Sequence, residues 1–534
     1  MSISRRNFIK GATIAGTASA FSPTAFANKT NSVVINKPTN PKNILIITAD
    51  QLAKKAVAGY GNDFVKTPAM DSIINKGTRF ENAYCSFPLC APSRASFWTG
   101  RLPHQTGIIA NSSPNIPNSM ETLGNIFYQA GYECVHFGKQ HDYGSLKRFI
   151  RADQVQKDVA TTSAFPVNYD SREDVYCLEE SVKFLKGKTN KKPFLMAVEF
   201  NNPHNICGWV GKFQGEHGDI NGIGELPELP ENFEANDDLM SRSKSVQYAC
   251  CTHNRTRQAS HWNELNFRQY LKAYYHYTEL ADDCIGQVLN TLKETGHDKD
   301  TLVVFFADHG DSMGAHRLVT KMNWFYDETT NVPFVFSGPD IKQGNQLNQL
   351  VSLCDLLPTL CDYVGLPIPE HIYGKSVLPL LQGNKLDDWH EEVVSHWHTN
   401  REMTIQPARM MRTEKYKYIV YREDSDEELY DMINDQGEMK NLSKDPAFAS
   451  VLEDMRSRFK IYVANTVDPF FTQEVVVDKR WRSHELGYHN HEGDSSIDIY
   501  LREIRPLEKK NDIKAIEAAK QAVVTAARGS YCKA

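Results

Sequence analysis

Hydrophobic positions along this chain fall in short unbroken runs separated by segments of helical period, and that alternation predicts a largely parallel sheet covered by helices. Asn43-Ile44-Leu45-Ile46-Ile47-Thr48 is the first run, continuous as a strand buried on both faces must be, and it stops at Ala49-Asp50-Gln51. Thr67-Pro68 then read as N-cap and first helical residue, with Met70, Ile73 and Ile74 on one face and Gly77 as the stop. A second helix carries Leu123, Ile126, Phe127 and Ala130 on one face and ends at Gly131. Cys134 to Phe137 is a short strand running into Gly138-Lys139-Gln140-His141. Phe194 to Phe200 leads into Asn201-Asn202-Pro203-His204, and Leu302 to Phe306 into Ala307-Asp308-His309-Gly310. Four apolar runs therefore end in ionisable clusters. In an open α/β sheet the ligand crevice lies beyond the carboxyl ends of the strands, so the four clusters are expected to meet in one pocket.

Later segments change the pattern. A helical period runs from about Glu264 to Thr295, with Asp282-Asp283 inside it read as structural. The polar stretch "LQGNKLDDWHEE" separates an α/β domain of residues 40–390 from a smaller α+β domain of residues 391–534. In the second domain, "KYKYIVY" and "ELYDMIND" are expected as strands of an antiparallel sheet, residues 447–463 as a helix packed on it, and Lys510 to Ala534 as a terminal surface helix with a frayed end.

Composition narrows the function classes. With 534 residues, 41% hydrophobic and 24% charged, the chain can bury a large core, and its net charge of −6 argues against a dedicated nucleic-acid binder. Ser4-Arg5-Arg6-Asn7-Phe8-Ile9-Lys10, an apolar Gly11 to Phe21 and a small-x-small Ala25-Phe26-Ala27 read as a twin-arginine signal peptide over residues 1–27. The mature protein is then expected near Asn28, periplasmic or secreted, handled by the twin-arginine export machinery and without a stable membrane anchor. Eleven cysteines lack a C-x-x-C spacing; Cys250-Cys251, and Cys354 with Cys361, are candidate disulfides whose connectivity nothing in the sequence fixes.

The strand-end clusters suggest a particular chemistry. Asp50 and Asp308, helped by Gln51 and His309, form an oxygen-rich, divalent-cation set that suits calcium or magnesium rather than structural zinc. Arg94, Lys139, Lys321, His141 and His204 supply the charge and donors a tetrahedral anion such as sulfate or phosphate requires. Pro92 reads as the first residue of a helix, which would put Cys90 just ahead of its positive end, where a nucleophile is activated. Taken singly, each cluster also has a plain reading: a loop carboxylate at Asp50, a turn cap at His204, a tight turn at Asp308-His309-Gly310.

Cys90-Ala91-Pro92-Ser93-Arg94 with Thr99-Gly100 matches the C-x-P-S-R-x-x-x-x-T-G signature, and the chain resembles the type I sulfatases of the alkaline phosphatase superfamily. The resemblance extends in order through "NILIITADQ", "GYECVHFGKQH", "FNNPH", "FFADHGDSMGAH", Lys321, "VSLCDLLPTLCDYVGLPIPEHIYGKSVLPLL" and "RTEKYKY". It implies an alkaline-phosphatase-like, mostly parallel sheet sandwiched by helices, with a C-terminal α+β domain. It implies that Cys90 is oxidised to Cα-formylglycine by a formylglycine-generating enzyme, and that Asp50, Gln51, Asp308, His309 and the modified Cys90 bind one calcium ion. Arg94 would hold the formylglycine, Lys139 and Lys321 contact the sulfate, His141 act on the formylglycine hydrate and His204 protonate the departing alcohol. Gln51 and His309 depart from the aspartate and asparagine of many members, and the amide brings one neutral oxygen where a charge is usual. The expected substrate is a sulfated oligo- or polysaccharide, from algae or a glycosaminoglycan. A phosphomonoesterase or phosphodiesterase, or a binding protein whose Cys90 stays a thiol, are the competing readings. His253, Arg255, Arg257 and His261 are candidates for the pocket entrance or a solvated loop, and His396-Trp397-His398 with Arg401 for sugar stacking.

Overall fold

A computed structural model describes Pro38 and residues 41–472, except 112, 152–171, 213–224, 234–242, 244–245, 247–253, 260–261, 387, 399–406 and 423–426. Eight strands form the first sheet: β1 (Asn43–Ala49), β2 (Thr78–Tyr84), β3 (Glu133–Gly138), β4 (Ile150–Arg151), β5 (Phe194–Phe200), β6 (Thr301–Phe306), β7 (Phe334–Ser337) and β8 (Asn345–Ser352). Their order is β4-β3-β5-β1-β6-β7-β2-β8. The first five are mutually parallel, whereas β7 runs antiparallel to both neighbours and β2 pairs in parallel with β8.

The unbroken apolar runs sit in the middle of this sheet because a strand covered on both faces has no solvent side to fill with polar residues. Every residue of β5 and β6 is buried, and β1 departs only at Asn43. Helices Pro68–Asn75, Arg172–Gly187 and Glu264–Glu294 pack together as one covering group. Cys90–Thr99, Leu123–Gln129 and Leu356–Tyr363 form another. Thr67 gives no side-chain cap to its helix; the buried Asp282 carboxylate accepts from Ala69 N at 3.0 Å and Met70 N at 2.8 Å instead, so Asp282 is structural.

A second sheet is antiparallel throughout, in the order β12 (Glu428–Asp431), β11 (Tyr416–Tyr421), β10 (Ala408–Thr413), β9 (Glu392–Trp397). Helix Ala449–Thr466 covers it, with Leu452, Met455, Phe459 and Tyr462 packed on Val394, Met411, Tyr418 and Leu429. Lys417, fully buried on β11, reaches Asp327 at 2.6 Å and Glu438 at 2.7 Å, tying this sheet to the loop that follows Lys321.

Two expectations are corrected here. His396, Trp397 and His398 are buried: Trp397 packs on Phe87 at 5.2 Å, and His396 bonds Tyr462 OH at 2.8 Å and stacks on His104. Both faces of β9 are covered, by the segment around Phe87 and by the C-terminal helix, so no sugar can stack there. Cys354 and Cys361 are separate buried thiols, each pushed up in pKa by burial. Cys250-Cys251, His253, His261, Arg401, residues 1–27 and 510–534 lie outside the described residues. Among the described residues no helix is long and apolar enough to cross a membrane.

Candidate active site

Because β1, β3, β5 and β6 are parallel, their carboxyl ends open on one edge of the sheet, and the residues that follow them converge there. Asp50 follows β1, Lys139 follows β3, His204 follows β5, and Asp308 and His309 follow β6. Gly138 makes the turn into Lys139 possible: its φ is +101°, and a Cβ would meet Glu199 O at 2.1 Å. Gly310 is equally constrained, since a Cβ there would lie 1.9 Å from Glu328 O.

Cys90 is itself the first residue of helix Cys90–Thr99, with Pro92 third, so the helix starts two residues earlier than Pro92 suggests. Its Sγ lies 3.1 Å from His309 Nε2, 3.7 Å from Asp50 Oδ1 and 4.0 Å from Lys139 Nζ. Burial and Asp50 work against a thiolate, yet Lys139, Lys321 and His309 outweigh them and hold the thiol well below its usual range. The side chain at position 90 thus sits buried where the basic groups Lys139, Lys321 and His309 converge.

Arg94, one helical turn on, is fully buried beneath the carboxylates. It meets Asp50 at 2.7 Å, Glu199 at 2.8 Å and Asp308 at 3.1 Å. Lys139 Nζ takes the same Asp50 oxygen at 2.7 Å. Ser93 Oγ donates to Asp308 O at 2.6 Å, which locks the Cys90 helix onto the end of β6.

Ligand atoms of Asp50, Cys90, Asp308 and His309 all lie within 4.8 Å of one another. Burial, then the neighbouring Asp50, push Asp308 up to about 6, the behaviour of two carboxylates brought close together. The His309 ring nitrogen Nδ1 bonds Gly310 O at 3.0 Å, which leaves Nε2 directed at the cluster. Two carboxylates and an imidazole at one point are a donor set that fits a single divalent cation. Gln51, expected as a further ligand, stands beside them with its Oε1 accepting from Lys321 Nζ and the Cys207 thiol and its Nε2 donating to Asp311 Oδ2 at 2.6 Å, so its amide is engaged by these neighbours instead of the cluster.

His204 faces the same pocket. Burial and then Lys139 and Lys321 depress it to about 3, against the pull of Asp50. His141 sits at φ +24° with its ring tilted against Tyr143, and among the described residues its buried Nδ1 has no hydrogen-bond partner and no hydrogen bond links it to Cys90. Of the residues expected at a pocket entrance or in a solvated loop, Arg255 donates from Nε to Cys207 O at 3.1 Å, while the side chain of Arg257 is not described.

Four contributors escape a reading by motif. Glu199 pairs with Arg94 and with His136 at 2.8 Å, and a lone glutamate inside the apolar run "FLMAVEF" is the only signal of it in the sequence. Asn111 accepts from Ala91 N at 3.1 Å and steadies the start of the helix. Asp311 and Cys207 contact Gln51 from opposite ends of its amide.

Comparison with known proteins places the chain in a family. The sulfatase family model matches residues 42–366, and a model of the C-terminal part of N-sulphoglucosamine sulphohydrolase matches residues 314–464. The chain belongs to the sulfatase family. Among its relatives is the Delta 4,5-hexuronate-2-O-sulfatase of Bacteroides thetaiotaomicron, 44% identical over 467 residues that cover 86% of this chain and 96% of the relative. The solved structure of a 2-O GAG sulfatase superposes with a TM-score of 0.78 at 44% identity, covering 86% of this chain and 100% of that one. A phosphonate monoester hydrolase of Agrobacterium radiobacter shares the fold, with a TM-score of 0.69 at 22% identity over 80% of this chain and 97% of its own.

Proposed function

We propose that this sulfatase is an exported enzyme that removes the 2-O-sulfate of a hexuronate at the end of a glycosaminoglycan fragment, using formylglycine at position 90. One observation carries the chemistry: a single buried side chain, Cys90, has Lys139, Lys321, His204 and His309 around it together with the carboxylates of Asp50 and Asp308. The sugar and the position of its ester are taken from the hexuronate-2-O-sulfatase with which the chain shares 44% identity.

Lys139 and Lys321 hold the sulfate oxygens by charge and direct them at position 90. A thiol attacks a sulfate ester poorly, whereas a hydrated aldehyde offers one hydroxyl to attack sulfur and a second to release sulfate afterwards. Calcium held by Asp50, Asp308, His309 and residue 90 would supply positive charge to the sulfate oxygens and the attacking hydroxyl. His204 donates a proton to the departing sugar oxygen. A sulfate between the two lysines offsets the charges that depress His204, so substrate binding favours the protonated ring. Arg94 holds Asp50 and Asp308 from below and never meets the substrate. Cys90 is buried once the chain has folded, so its oxidation belongs in the cytoplasm before folding is complete, and export through the twin-arginine route, which carries folded proteins, allows that order.

The test is mass spectrometry of the Cys90 peptide, made with a formylglycine-generating enzyme, combined with turnover of unsaturated disaccharides sulfated at O2, O6 or N. A loss of about 18 Da at position 90 and preference for the O2 ester support the reading. An unmodified thiol alongside a converted control points to a binding protein, and preference for another ester overturns the substrate.

A further inference from the structure

Gln51 is held in one orientation, and the residue that holds it is not among those the sulfatase signature singles out. Its backbone lies in the left-handed region at φ +66°, pinned by its N–H on Asp308 Oδ1 at 3.0 Å and by Tyr274 OH, which donates to its carbonyl at 2.6 Å. With the backbone fixed, the only remaining choice is which end of the side-chain amide faces which neighbour. On one side Asp311 Oδ2 takes Nε2 at 2.6 Å. On the other, Lys321 Nζ donates to Oε1, with the Cys207 thiol 3.3 Å from the same oxygen. A carboxylate accepts only and an ammonium donates only, so an amide set between them has a single satisfied orientation.

Asp311 is itself over-determined. Its Oδ1 receives Tyr270 OH and Met313 N, the latter at 2.8 Å. Tyr270 OH in turn accepts from Thr320 N at 3.0 Å, one residue before Lys321. Two routes thus lead from one buried carboxylate to one lysine. The first runs through the Gln51 amide to Nζ, the second through Tyr270 to the backbone of Thr320.

We propose that Asp311 is the positioning residue that sets Lys321 for the anionic group of the substrate, by fixing the Gln51 amide from one side and Thr320 from the other. The proposal rests on the sulfatase reading of the pocket. If Gln51 turned over, its NH2 would face the ammonium, donor against donor, and Lys321 would swing away from the anion.

Asp311→Asn reverses the amide by design. Tyr270 OH and Met313 N both need an acceptor, so they keep the oxygen of the introduced amide, and its NH2 then faces Gln51 and demands an oxygen. Binding of inorganic sulfate, measured calorimetrically at saturating calcium, is expected to weaken by about tenfold in D311N, with KM for the sulfated disaccharide rising by a similar factor and kcat changing less. Adding Gln51→Glu to D311N supplies a carboxylate that accepts from both the introduced amide and Lys321, and is expected to bring sulfate affinity back to within about threefold of wild type. A structural defect would not be rescued in this way. Unchanged affinity in D311N, or a double variant no better than the single, overturns the proposal. If D311N does not fold, Tyr270→Phe, which cuts only the Thr320 route, is expected to weaken sulfate binding by about threefold, and unchanged binding there overturns it. Sulfate affinities in the expected order from a wild type that turns over no sulfate ester would overturn the assigned activity and leave the role of Asp311 standing.

Discussion

Arg94 and Glu199 meet at 2.8 Å with neither side chain exposed, and the same guanidinium also carries Asp50 and Asp308. Breaking one arm of such a buried group is costly because it strands a charge, about 3–5 kcal/mol by analogy with other buried pairs. Glu199→Ala is expected to destabilise the fold by an amount of that order and so lower the thermal midpoint, while Arg94 keeps the two pocket carboxylates in place and kcat/KM stays within about threefold. Arg94→Lys is expected to do the reverse damage: a point charge cannot span three carboxylates, and turnover should fall by roughly a hundredfold or more. Melting curves and kinetics on the two variants separate the effects. Equal losses of activity in both would deny the division of labour.

Chelation gives a second test. Burial and Asp50 push Asp308 upward because two carboxylates share one point, and a divalent cation removes that conflict. Treatment with EGTA is expected to abolish turnover and lower the thermal midpoint, and calcium to restore both. At about a hundredfold excess over its dissociation constant a bound ion adds roughly 2.7 kcal/mol. A midpoint indifferent to EGTA would remove the cation from the cluster formed by Asp50, Cys90, Asp308 and His309.

The strand ends are legible in the sequence for a physical reason. A strand covered on both faces is mainly apolar, so the first ionisable residue beyond its end marks the sheet edge, and Asp50, Lys139, His204 and Asp308 stand out that way even though Glu199 in β5 and His136 in β3 interrupt their runs from inside. Asp311 is visible as a letter three places after Asp308, but its work depends on Gln51, 260 residues away, and no local pattern encodes that pairing. His396-Trp397-His398 misleads for the opposite reason. A polar-aromatic alternation suggests one solvated face in an antiparallel strand, and only the packing of Phe87 and the C-terminal helix shows that both faces are dry. The helix start at Cys90 is missed because proline is common in the first helical turn as a whole, not at one position of it.

His396 predicts an acid sensitivity. It is fully buried beside Arg409, His104 and His398, and burial followed by those neighbours holds it well below the usual histidine range. Asp468 lies 3.9 Å away but gives both oxygens to Arg409, at 2.6 and 2.7 Å, and offers little compensation. A depressed histidine stays neutral in the folded state while the unfolded chain takes up a proton. Its stabilising contribution is therefore complete above about pH 6.5 and is lost as pH falls below that, by up to about 1.4 kcal/mol per pH unit. Thermal unfolding between about pH 7.5 and 5.5 should show this slope, and His396→Gln should reduce it. Parallel pH profiles for wild type and H396Q would show that the charge is taken up elsewhere.

His204 is placed to serve the leaving group. It follows β5 through Asn201-Asn202-Pro203, its backbone N–H bonds Asn201 O at 2.9 Å, and its ring is held between the fields of Lys139, Lys321 and Asp50. A proton donor matters in proportion to the basicity of the oxygen it serves. A sugar alkoxide needs the proton, whereas a nitrophenolate leaves without it. His204→Ala is accordingly expected to reduce kcat/KM on a 2-O-sulfated disaccharide by about a hundredfold or more and on an activated aryl sulfate by about tenfold or less. If His204 instead only shapes the anion pocket, both substrates lose by the same factor, and that equality would reassign it to binding.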